Sequence, residues 1–315
     1  MTTTTQRAYH QLEITTRCNF DCWYCAGRNM PQQDMPWVRF TSIVDAIACP
    51  GSTVSLQGEG EPSLHPRFWD MVRYVRAKGH LPYTIVNGSR INAAAIARHF
   101  STIGISIDTL DAQLANQTGR YNLPKVLENL DRLCNAMAPG RIIIMTVDLG
   151  QPLQDLCAWV KRRGFRRHVV QALNAKHDYA QRYPQLARNS AHDNSPKVCH
   201  FAEQHTLRYH TWQGKELPCV YIKDTTGFTT IAALRASLHA GHVPPGCLGC
   251  QHLRPKAPPP GQEPTPPTAA SVAPSPPRLA IVARPKWNGR STTGGLTPSS
   301  VDNEMRDDTA KHKQP

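Results

Sequence analysis

The chain has 315 residues, 40% of them hydrophobic, and a formal net charge of +13. This composition supports one large domain with its own core and a smaller one, and no apolar run approaches the roughly 18 residues of a membrane span. The N-terminus lacks a secretory pattern, and ten cysteines in such a chain favour metal-bound thiolates in the reducing cytoplasm over a disulfide scaffold.

Strand-like and helix-like segments alternate along the first 173 residues. Apolar residues recur at helical spacing in some segments, and short apolar runs bounded by turn residues mark the others. The predicted strands are Tyr9–Thr15, Thr53–Gln57, Pro82–Val86, Ile103–Ile107, Arg141–Val147 and His168–Leu173. The predicted helices are Trp37–Ala48, Phe68–Ala77, Ala93–Phe100, Leu123–Met137 and Leu153–Arg163.

Six strands that alternate with helices predict right-handed parallel βαβ units. A doubly wound sheet and an open, partial barrel both satisfy this pattern. In either fold, the loops at the C-terminal ends of the strands build the site. Four polar stretches follow predicted strands in this way: Cys18–Cys25, Gly58–Pro62, Asn87-Gly88 and Asp108.

The first of these stretches contains three cysteines, Cys18, Cys22 and Cys25, in a C-x3-C-x2-C run. Three thiolates in one short loop can hold three irons of a four-iron cubane, which leaves the fourth iron open to substrate or cofactor. The alternative is a loop of buried or zinc-binding cysteines. Zinc sites usually use four ligands in two short pairs, so an isolated run of three favours the iron–sulfur cluster.

The alternating pattern stops after about residue 175, and a second cysteine set follows. Trp212–Cys219 has the pattern of a hairpin with Gly214 at its tip. Four thiolates can close a metal site with no open position, which suits a second iron–sulfur cluster or zinc. The set comprises Cys199, Cys219, Cys247 and Cys250. The remaining cysteines are expected to be packed core thiols: Cys49, Cys134 and Cys157.

From Pro255 onward the chain holds 13 of its 27 prolines, which predicts a disordered, partly polyproline tail. The part before the tail keeps a net charge of +10. This charge fits an anionic partner such as nucleic acid, an acidic peptide or a phosphorylated metabolite, and equally a basic soluble surface. The densest basic run, Lys161–Arg167, lies where a helix should end, and cations there also suit the helix dipole.

These features together resemble the radical S-adenosylmethionine (radical SAM) enzymes over roughly residues 8–253. The C-terminal cysteines resemble a truncated SPASM, or twitch-like, domain: Cys199 and Cys219 bracket Gly214, and Cys247-x2-Cys250 completes four ligands. The further cysteines of a full SPASM domain do not follow Cys250. The matching motifs are Cys18-x3-Cys22-x2-Cys25, Gly58-Glu59-Gly60-Glu61-Pro62, Asn87-Gly88, Ser106-Ile107-Asp108 and Arg120.

The resemblance implies a partial (β/α)6 TIM-like barrel over residues 1–175, then a small β-hairpin and helix domain with an auxiliary 4Fe–4S cluster over 176–254, and the tail over 255–315. It also implies that the open iron of a 4Fe–4S cluster at Cys18, Cys22 and Cys25 chelates the amino and carboxylate groups of S-adenosylmethionine. The remaining cofactor-binding residues implied are Tyr24, Gly58, Gly60, Glu61, Asn87, Ser106, Asp108 and Arg120.

Each implied contact also has a structural alternative. Tyr24 is placed by the adenine, Ser106 and Asp108 by the ribose hydroxyls, Arg120 by the methionine carboxylate and the Gly58–Glu61 loop by the amino group. Instead, Glu61 could cap a helix ahead of the proline, Asp108 could be a helix N-cap, and Ser106 could likewise be structural. Arg120 could lie on the surface, and Asn87 could only turn the chain.

The function implied is reductive cleavage of S-adenosylmethionine to a 5′-deoxyadenosyl radical that abstracts hydrogen from substrate. The substrate class expected is a peptide or a small molecule such as a sugar, with the auxiliary cluster in electron transfer and flavodoxin or ferredoxin as electron donor. No catalytic acid or base is identified. The alternative from another class is a zinc-stabilised nucleic-acid-binding protein, which the first cysteine run disfavours.

Overall fold

The computed structural model describes residues 7–165, 167–174, 176, 195–204 and 206–256 of the chain. Strands and helices alternate through these residues as far as Ala172. The strands are β1 Tyr9–Leu12, β2 Thr53–Leu56, β3 Leu81–Tyr83, β4 Ile85–Val86, β5 Ile103–Ser106, β6 Ile142–Asp148, β7 Arg167–Ala172, β8 Lys197–Cys199, β9 Leu207–His210, β10 Glu216–Leu217 and β11 Leu253–Pro255. The helices are α1 Trp37–Asp45, α2 Phe68–Ala77, α3 Ala93–His99, α4 Ala112–Gln117, α5 Leu123–Ala136, α6 Gln154–Arg162, α7 His200–Glu203 and α8 Ile231–His239.

The strands from β1 to β7 pair in parallel in the order in which they occur in the chain. β1, β2 and β3 form one series, and β4, β5, β6 and β7 form the next. Thr84 lies between the two series: its hydroxyl donates to the Leu56 carbonyl at 2.8 Å, and its own carbonyl accepts from the Gly104 amide at 2.9 Å. The predicted α/β class with parallel strands is therefore confirmed, whereas closure into a partial (β/α)6 barrel stays a prediction.

The core lies where the helices pack on these sheets. Helix α5 shows how the pattern works, because it buries Val126, Leu130 and Leu133, which share one helical face. Strands β2 and β5 are buried on both faces, as is typical of parallel strands covered by helices. The fully buried apolar residues include Leu12, Ile14, Phe40, Leu56, Met71, Ile103 and Ile105.

Helix α4 was not predicted from the sequence. Asp111 caps it, since its side chain accepts hydrogen bonds from the amides of Gln113 and Leu114 at 2.8 and 3.0 Å. The alternative that Asp108 is an N-cap is therefore wrong. Six residues of mixed polarity carry too short a periodic signal to mark this helix in advance.

The C-terminal part of the described chain adds a strand to the main sheet. β9 pairs in parallel with β1, with Tyr9 opposite Leu207 and Leu12 opposite His210. β9 and β10 form an antiparallel hairpin, and Gly214 in its turn has φ of +84°. This hairpin follows the predicted turn, but its attachment to β1 was not predicted because sequence patterns carry no signal for such a long-range pairing.

The predicted domain boundaries stay predictions. β11 ends at Pro255, which is the first residue of the predicted tail, and the rest of that tail from residue 257 lies outside the described residues. Within the part of the chain that the structure describes, no helix is long and apolar enough to cross a membrane.

Two histidines meet where β9 joins β1. The His10 and His210 rings stack with centroids 5.7 Å apart, and Nδ1 of His10 lies 3.4 Å from Nε2 of His210. Burial, assisted by the positive charge of Arg208, lowers the pKa of both imidazoles to about 4. Each ring therefore stays neutral in the folded protein at pH values where a free histidine is protonated.

We expect the stability of the fold to fall as the pH drops from about 6.5 to about 4. In this window the unfolded chain binds protons at His10 and His210 that the folded chain does not, so acid favours unfolding. The loss should be on the order of 3 kcal/mol for each ring. Urea unfolding across this pH range measures the loss. The free energy of unfolding is plotted against pH for the wild type and for a His10→Gln, His210→Gln double variant, and the difference between the two slopes gives the contribution of the pair.

His242 supplies the control because its side chain is exposed. A His242→Gln variant should keep the wild-type pH dependence. Equal slopes for the wild type and the double variant would show that the stacked pair does not couple folding to pH.

Candidate functional site

A cavity of about 320 Å³ opens at the C-terminal ends of the parallel strands. Its wall combines the cysteine loop, Cys18–Cys25, with residues that follow β2, β4 and β5 and with residues from the C-terminal part of the chain. The predicted site residues that line it are Cys18, Cys22, Tyr24, Cys25, Gly58, Gly60, Glu61, Asn87, Ser106 and Arg120. Asp108 does not line this cavity, and it borders a smaller one beside Arg120.

The cysteine loop is attached to the end of helix α4. The amides of Asp21 and Trp23 donate to the carbonyls of Gly119 and Thr118 at 3.1 and 3.3 Å. Gly119 has φ of +86°, and a Cβ there would lie 2.5 Å from the Asp21 carbonyl oxygen, so only glycine fits. The sequence analysis did not identify Gly119, although a glycine directly before Arg120 was a local signal for a helix end.

The three thiols of this loop share one electrostatic environment. Cys22 is buried, Cys25 is half-buried and Cys18 is exposed. Burial, together with the neighbouring Glu59 and Cys22, raises the pKa of Cys25 to about 12. Burial also raises the pKa of Cys18 and Cys22. Thiols in such surroundings become thiolates when they coordinate a cationic centre, which is the chemistry that an iron–sulfur cluster requires.

The Gly58–Pro62 loop lies directly on the segment that joins β1 to the cysteine loop. The amides of Gly60 and Glu61 donate to the carbonyls of Thr15 and Arg17 at 3.2 and 2.8 Å. A Cβ on Gly60 would lie 2.5 Å from the Arg17 carbonyl oxygen. The glycines of this motif therefore permit a close backbone approach that a larger residue would prevent.

Glu61 holds two parts of the site together. One carboxylate oxygen accepts from the amide and the hydroxyl of Ser63 at 3.2 and 2.6 Å, and the other accepts from the Asn87 amide at 2.6 Å. Its side chain is only 2% exposed, and burial raises its pKa. Glu61 thus caps the turn that begins at Pro62, which was the structural alternative, and it also lines the cavity.

Asn87 and Ser106 come from the next strand ends. The side-chain nitrogen of Asn87 donates to the side-chain oxygen of Asn19 in the cysteine loop at 3.0 Å and lies 4.0 Å from the Cys18 sulfur. Its side-chain oxygen accepts from the Ser89 amide at 2.9 Å, which turns the chain. The Ser106 carbonyl accepts from Arg120 at 3.2 Å, so Ser106 contributes its backbone to the fixing of that arginine.

Tyr24, Asp108 and Arg120 form one buried group. Arg120 Nε lies 2.5 Å from Asp108 Oδ2 and donates to the Tyr24 hydroxyl oxygen at 2.7 Å, while the Tyr24 hydroxyl donates to Asp108. The other Asp108 oxygen accepts from the Val147 amide at 2.8 Å. Burial opposes the charge on Arg120, but Asp108, Tyr24 and Cys22 together outweigh it and hold the pKa of Arg120 well above its usual value.

A second charged group lies at the edge of the cavity, and the sequence analysis missed two of its members. Lys223 Nζ lies 2.5 Å from Glu59 Oε1, and both side chains are largely buried. Glu13, at the end of β1, accepts from the amides of Glu59 and Trp212 at 3.3 Å each. Burial raises the pKa of Glu13, and Lys223 partly offsets this effect. The C-terminal part of the chain therefore supplies a cation to an acidic region beside the cysteine loop.

Cys219 and Cys247 of the four-cysteine set lie in one buried cluster, and Cys199 packs against it. Cys199 ends β8 and lies opposite Leu253 of β11, three residues after Cys250. Burial, together with Cys199 and Cys250, raises the pKa of Cys219 to about 12. Burial and the same neighbouring thiols raise the pKa of Cys247 beyond its ordinary range. Thiols that raise one another's pKa in this way are the donor set that a soft metal centre suits.

As the side chains stand in the described part of the chain, neither thiol set is grouped tightly enough to hold a metal ion. Among the described residues, no three His, Cys, Asp or Glu side chains are grouped so that they could hold a metal ion. Cys134 is half-buried, as expected of a packed thiol, whereas Cys157 is exposed and the prediction that it is a core thiol is wrong. Cys157 lies on the outer face of α6, with its sulfur 3.8 Å from Nδ1 of His168.

Two residues connect the cavity with the four-cysteine set. Tyr221 lines the cavity, and the thiols of Cys219 and Cys250 and the carboxylate of Glu59 act on its pKa, which burial raises most. Asn174, just beyond β7, also lines the cavity, and a hydrogen bond from its side chain lowers the pKa of Cys250. Tyr221 and Asn174 therefore lie between the cavity that the cysteine loop lines and the four-cysteine set.

The family model of the radical SAM superfamily matches residues 12–162. The S-adenosylmethionine-dependent nucleotide dehydratase of Selenomonas ruminantium is 27% identical over 143 residues, which cover 43% of this chain and 52% of the relative. The mycofactocin maturase MftC of Mycobacterium ulcerans is 28% identical over 163 residues, which cover 48% of this chain and 44% of the relative. The chain thus spans about half the length of these curated relatives.

Among solved structures, Streptococcus suis SuiB bound to S-adenosylmethionine superposes with a TM-score of 0.55 at 16% identity, over 75% of this chain and 66% of that one. This likeness concerns the fold. The family match spans the cysteine loop and the strand ends from β1 to β5 that line the cavity. Residues 12–162 are therefore a radical SAM superfamily domain.

Proposed function

We propose that the protein is a radical SAM enzyme that binds a 4Fe–4S cluster through Cys18, Cys22 and Cys25 and binds S-adenosylmethionine in the adjoining cavity. The observation that carries this proposal is the convergence of all three thiols, the Gly58–Glu61 loop, Asn87 and Arg120 on one cavity of about 320 Å³. When bound, the cluster and S-adenosylmethionine supply a 5′-deoxyadenosyl radical that removes a hydrogen atom from substrate.

The chain's own residues would bind and orient the cluster and S-adenosylmethionine. The cysteine loop would hold the cluster in place because its backbone is fixed at both ends. Asp21 is hydrogen-bonded to Gly119, and the segment just before the loop packs against Gly60. Arg120, held by Asp108, offers a guanidinium edge to the methionine carboxylate, and Asp108 and Tyr24 act by fixing that guanidinium. Gly58, Gly60 and Glu61 present carbonyl and carboxylate oxygens to the amino group.

The proposed substrate is a peptide or a small molecule such as a sugar. Uncharged carboxamides line the inner wall of the cavity at Gln11, Gln57, Gln171 and Asn174. The Gln57 side-chain oxygen is buried and has no hydrogen-bond partner among the described residues, so it is available to a donor on a ligand. Neutral donors and acceptors of this kind suit peptide amides and sugar hydroxyls.

We further propose that the four-cysteine set, Cys199, Cys219, Cys247 and Cys250, holds an auxiliary 4Fe–4S cluster of a twitch-like domain. Its support is the mutual electrostatic effect of the thiols and their proximity to the cavity wall at Tyr221 and Asn174. Four cysteine ligands leave no position for substrate, which favours electron transfer as the role. An external flavodoxin or ferredoxin would supply the first electron.

Replacing Cys18, Cys22 and Cys25 together by alanine should abolish the formation of 5′-deoxyadenosine from S-adenosylmethionine, because the cleaving cluster loses every protein ligand. Anaerobically purified wild type should contain about eight irons per chain and the variant about four. Iron and sulfide analysis together with chromatography of the reduced reaction mixture measures both quantities. Zinc with little iron, or cleavage that survives in the variant, would contradict the assignment.

Cys49→Ala is the matched control for this experiment. Cys49 lies away from both thiol sets, with its sulfur 3.6 Å from the Pro50 carbonyl. We expect this variant to keep the iron content and the cleavage rate of the wild type. A loss of iron there would show that the alanine substitutions act through folding rather than through ligation.

Arg120→Met should lower the free energy of unfolding by about 3–5 kcal/mol, because it leaves the Asp108 carboxylate buried without its cation. The Asp108 side chain is 2% exposed and that of Arg120 is 15% exposed. Urea unfolding measures the change, and calorimetric titration with S-adenosylmethionine should show weaker binding. As a control, Arg73→Met breaks the exposed pair with Asp70 and should cost less than about 1 kcal/mol. Equal losses in the two variants would refute a special role for the buried pair.

A further inference from the structure

Strand β7 forms one edge of its sheet within the described part of the chain. It pairs in parallel with β6, and no other described strand pairs with it. Residues of a strand direct their backbone amide and carbonyl groups alternately to one side and to the other, so alternate residues of β7 direct theirs away from β6. The outer edge of β7 therefore offers backbone donors and acceptors to an added strand.

This edge lacks the features that usually prevent an added strand from pairing. Proteins protect sheet edges with proline, charged side chains, bulges or very short strands. β7 has six residues, and the last five of them, His168–Ala172, contain no proline, lysine, arginine or carboxylate. Val170 is 43% exposed, and Gln171 and Ala172 are exposed as well. β7 is therefore open to pairing along the part that approaches the cavity.

The C-terminal end of β7 forms part of the cavity wall. Gln171, Ala172, Leu173 and Asn174 line the cavity in succession. An extended chain paired with β7 would continue past the end of the strand into the same cavity, because paired strands advance together along the sheet. This continuity favours a peptide as the occupant, since a sugar has no row of amides and carbonyls that matches a strand edge.

The opposite end of β7 lies beside the densest basic run of the sequence. Lys161 and Arg162 end helix α6, Arg167 begins β7, and all three side chains are exposed. Arg163 pairs with Asp131, whereas none of these three cations forms an ion pair with another described residue. Unpaired cations attract carboxylates, so this basic patch suits acidic residues of a partner.

We propose that β7 binds a peptide substrate by strand addition, with acidic residues of the peptide at Lys161, Arg162 and Arg167 and its reacting residue in the cavity. This inference rests on the proposed function and selects the peptide from the two substrate classes named there. Backbone hydrogen bonds to the edge supply affinity, and the basic patch supplies the preference for acidic peptides. The six residues of β7 span about 20 Å, so the acidic residues lie about six residues from the one that reacts.

Affinity selection of phage-displayed random peptides on the full-length protein tests the proposal. The selected peptides should be rich in aspartate and glutamate. Fluorescence anisotropy with these peptides, labelled with fluorescein, then measures their affinity for the wild type and for variants. Binding should weaken as salt is raised, because the ions screen the attraction between the peptide and the basic patch.

The edge itself is tested by Val170→Pro and Gln171→Pro. Because these residues are adjacent, one substitution removes an amide from the outer edge and the other removes a hydrogen bond to β6. Urea unfolding identifies the outer-edge variant as the one that keeps the free energy of unfolding closer to that of the wild type. This variant should bind the selected peptides at least about tenfold more weakly.

Arg162→Glu tests the basic patch and leaves the strand intact. It should weaken binding about tenfold at low salt, and the difference should shrink at high salt. Arg98→Glu is the matched control, because both arginines are exposed and lie in the last turn of a helix, so both changes oppose the helix dipole alike. The control should bind the peptides as the wild type does.

Several results would overturn the proposal. The first is a selection that enriches no peptide, and the second is an equal affinity of the selected peptides for the wild type and both the outer-edge variant and Arg162→Glu. A wild-type dimer that the outer-edge variant converts to a monomer would show that a second copy of the chain occupies β7. Binding of an RNA oligonucleotide in place of any peptide would likewise refute it.

The failure of the proposed function has a different result, because the binding measurements require neither a cluster nor a reductant. If the protein cleaves S-adenosylmethionine but selects no peptide, the peptide inference fails and the proposed function stands. If it binds peptides at β7 but forms no 5′-deoxyadenosine with a reductant, the proposed function fails and the peptide-binding edge stands.

Discussion

The site depends on a close backbone approach on both sides of the cysteine loop. On one side, Gly60 packs on the Arg17 carbonyl, and on the other side Gly119 packs on the Asp21 carbonyl, each at a distance that excludes a Cβ. Hydrogen bonds fix the loop at the same two points: the Glu61 amide donates to the Arg17 carbonyl, and the Asp21 amide donates to the Gly119 carbonyl. Because both neighbours are strand or helix ends, the parallel sheet itself determines where the three thiols lie. Precise placement of this kind is what a cofactor site on a rigid scaffold requires.

Charge is the second constraint, because three carboxylates lie close to the thiols. Glu13, Glu59 and Glu61 are each at least partly buried, and buried carboxylates need partners. Glu61 takes three hydrogen bonds from neighbouring donors, whereas Glu59 relies on Lys223 from the C-terminal part of the chain. The C-terminal segment therefore stabilises the charge distribution of the cavity as well as its shape.

The sequence was sufficient to predict most of the parallel strands and the polar loops that converge on the cavity, because both depend on local patterns. It missed α4, whose six residues carry too short a periodic signal, and the pairing of β9 with β1, which joins segments far apart in the chain. The same limit applies within the site. The motif residues were found, but Lys223 carries no motif, and only the folded chain brings this lysine beside the Glu59 carboxylate.

The pairing of β9 with β1 has a consequence for chemistry that uses both thiol sets. β1 leads into the cysteine loop, and β9 leads through its hairpin to Cys219, so one pair of hydrogen-bonded strands anchors both. The segment after β7 ties the same two regions from the other side, since Asn174 lines the cavity and bonds to Cys250. Two independent attachments hold the relative position of the sets against local motion. Such a fixed separation is what the proposed function of the four-cysteine set in electron transfer would require.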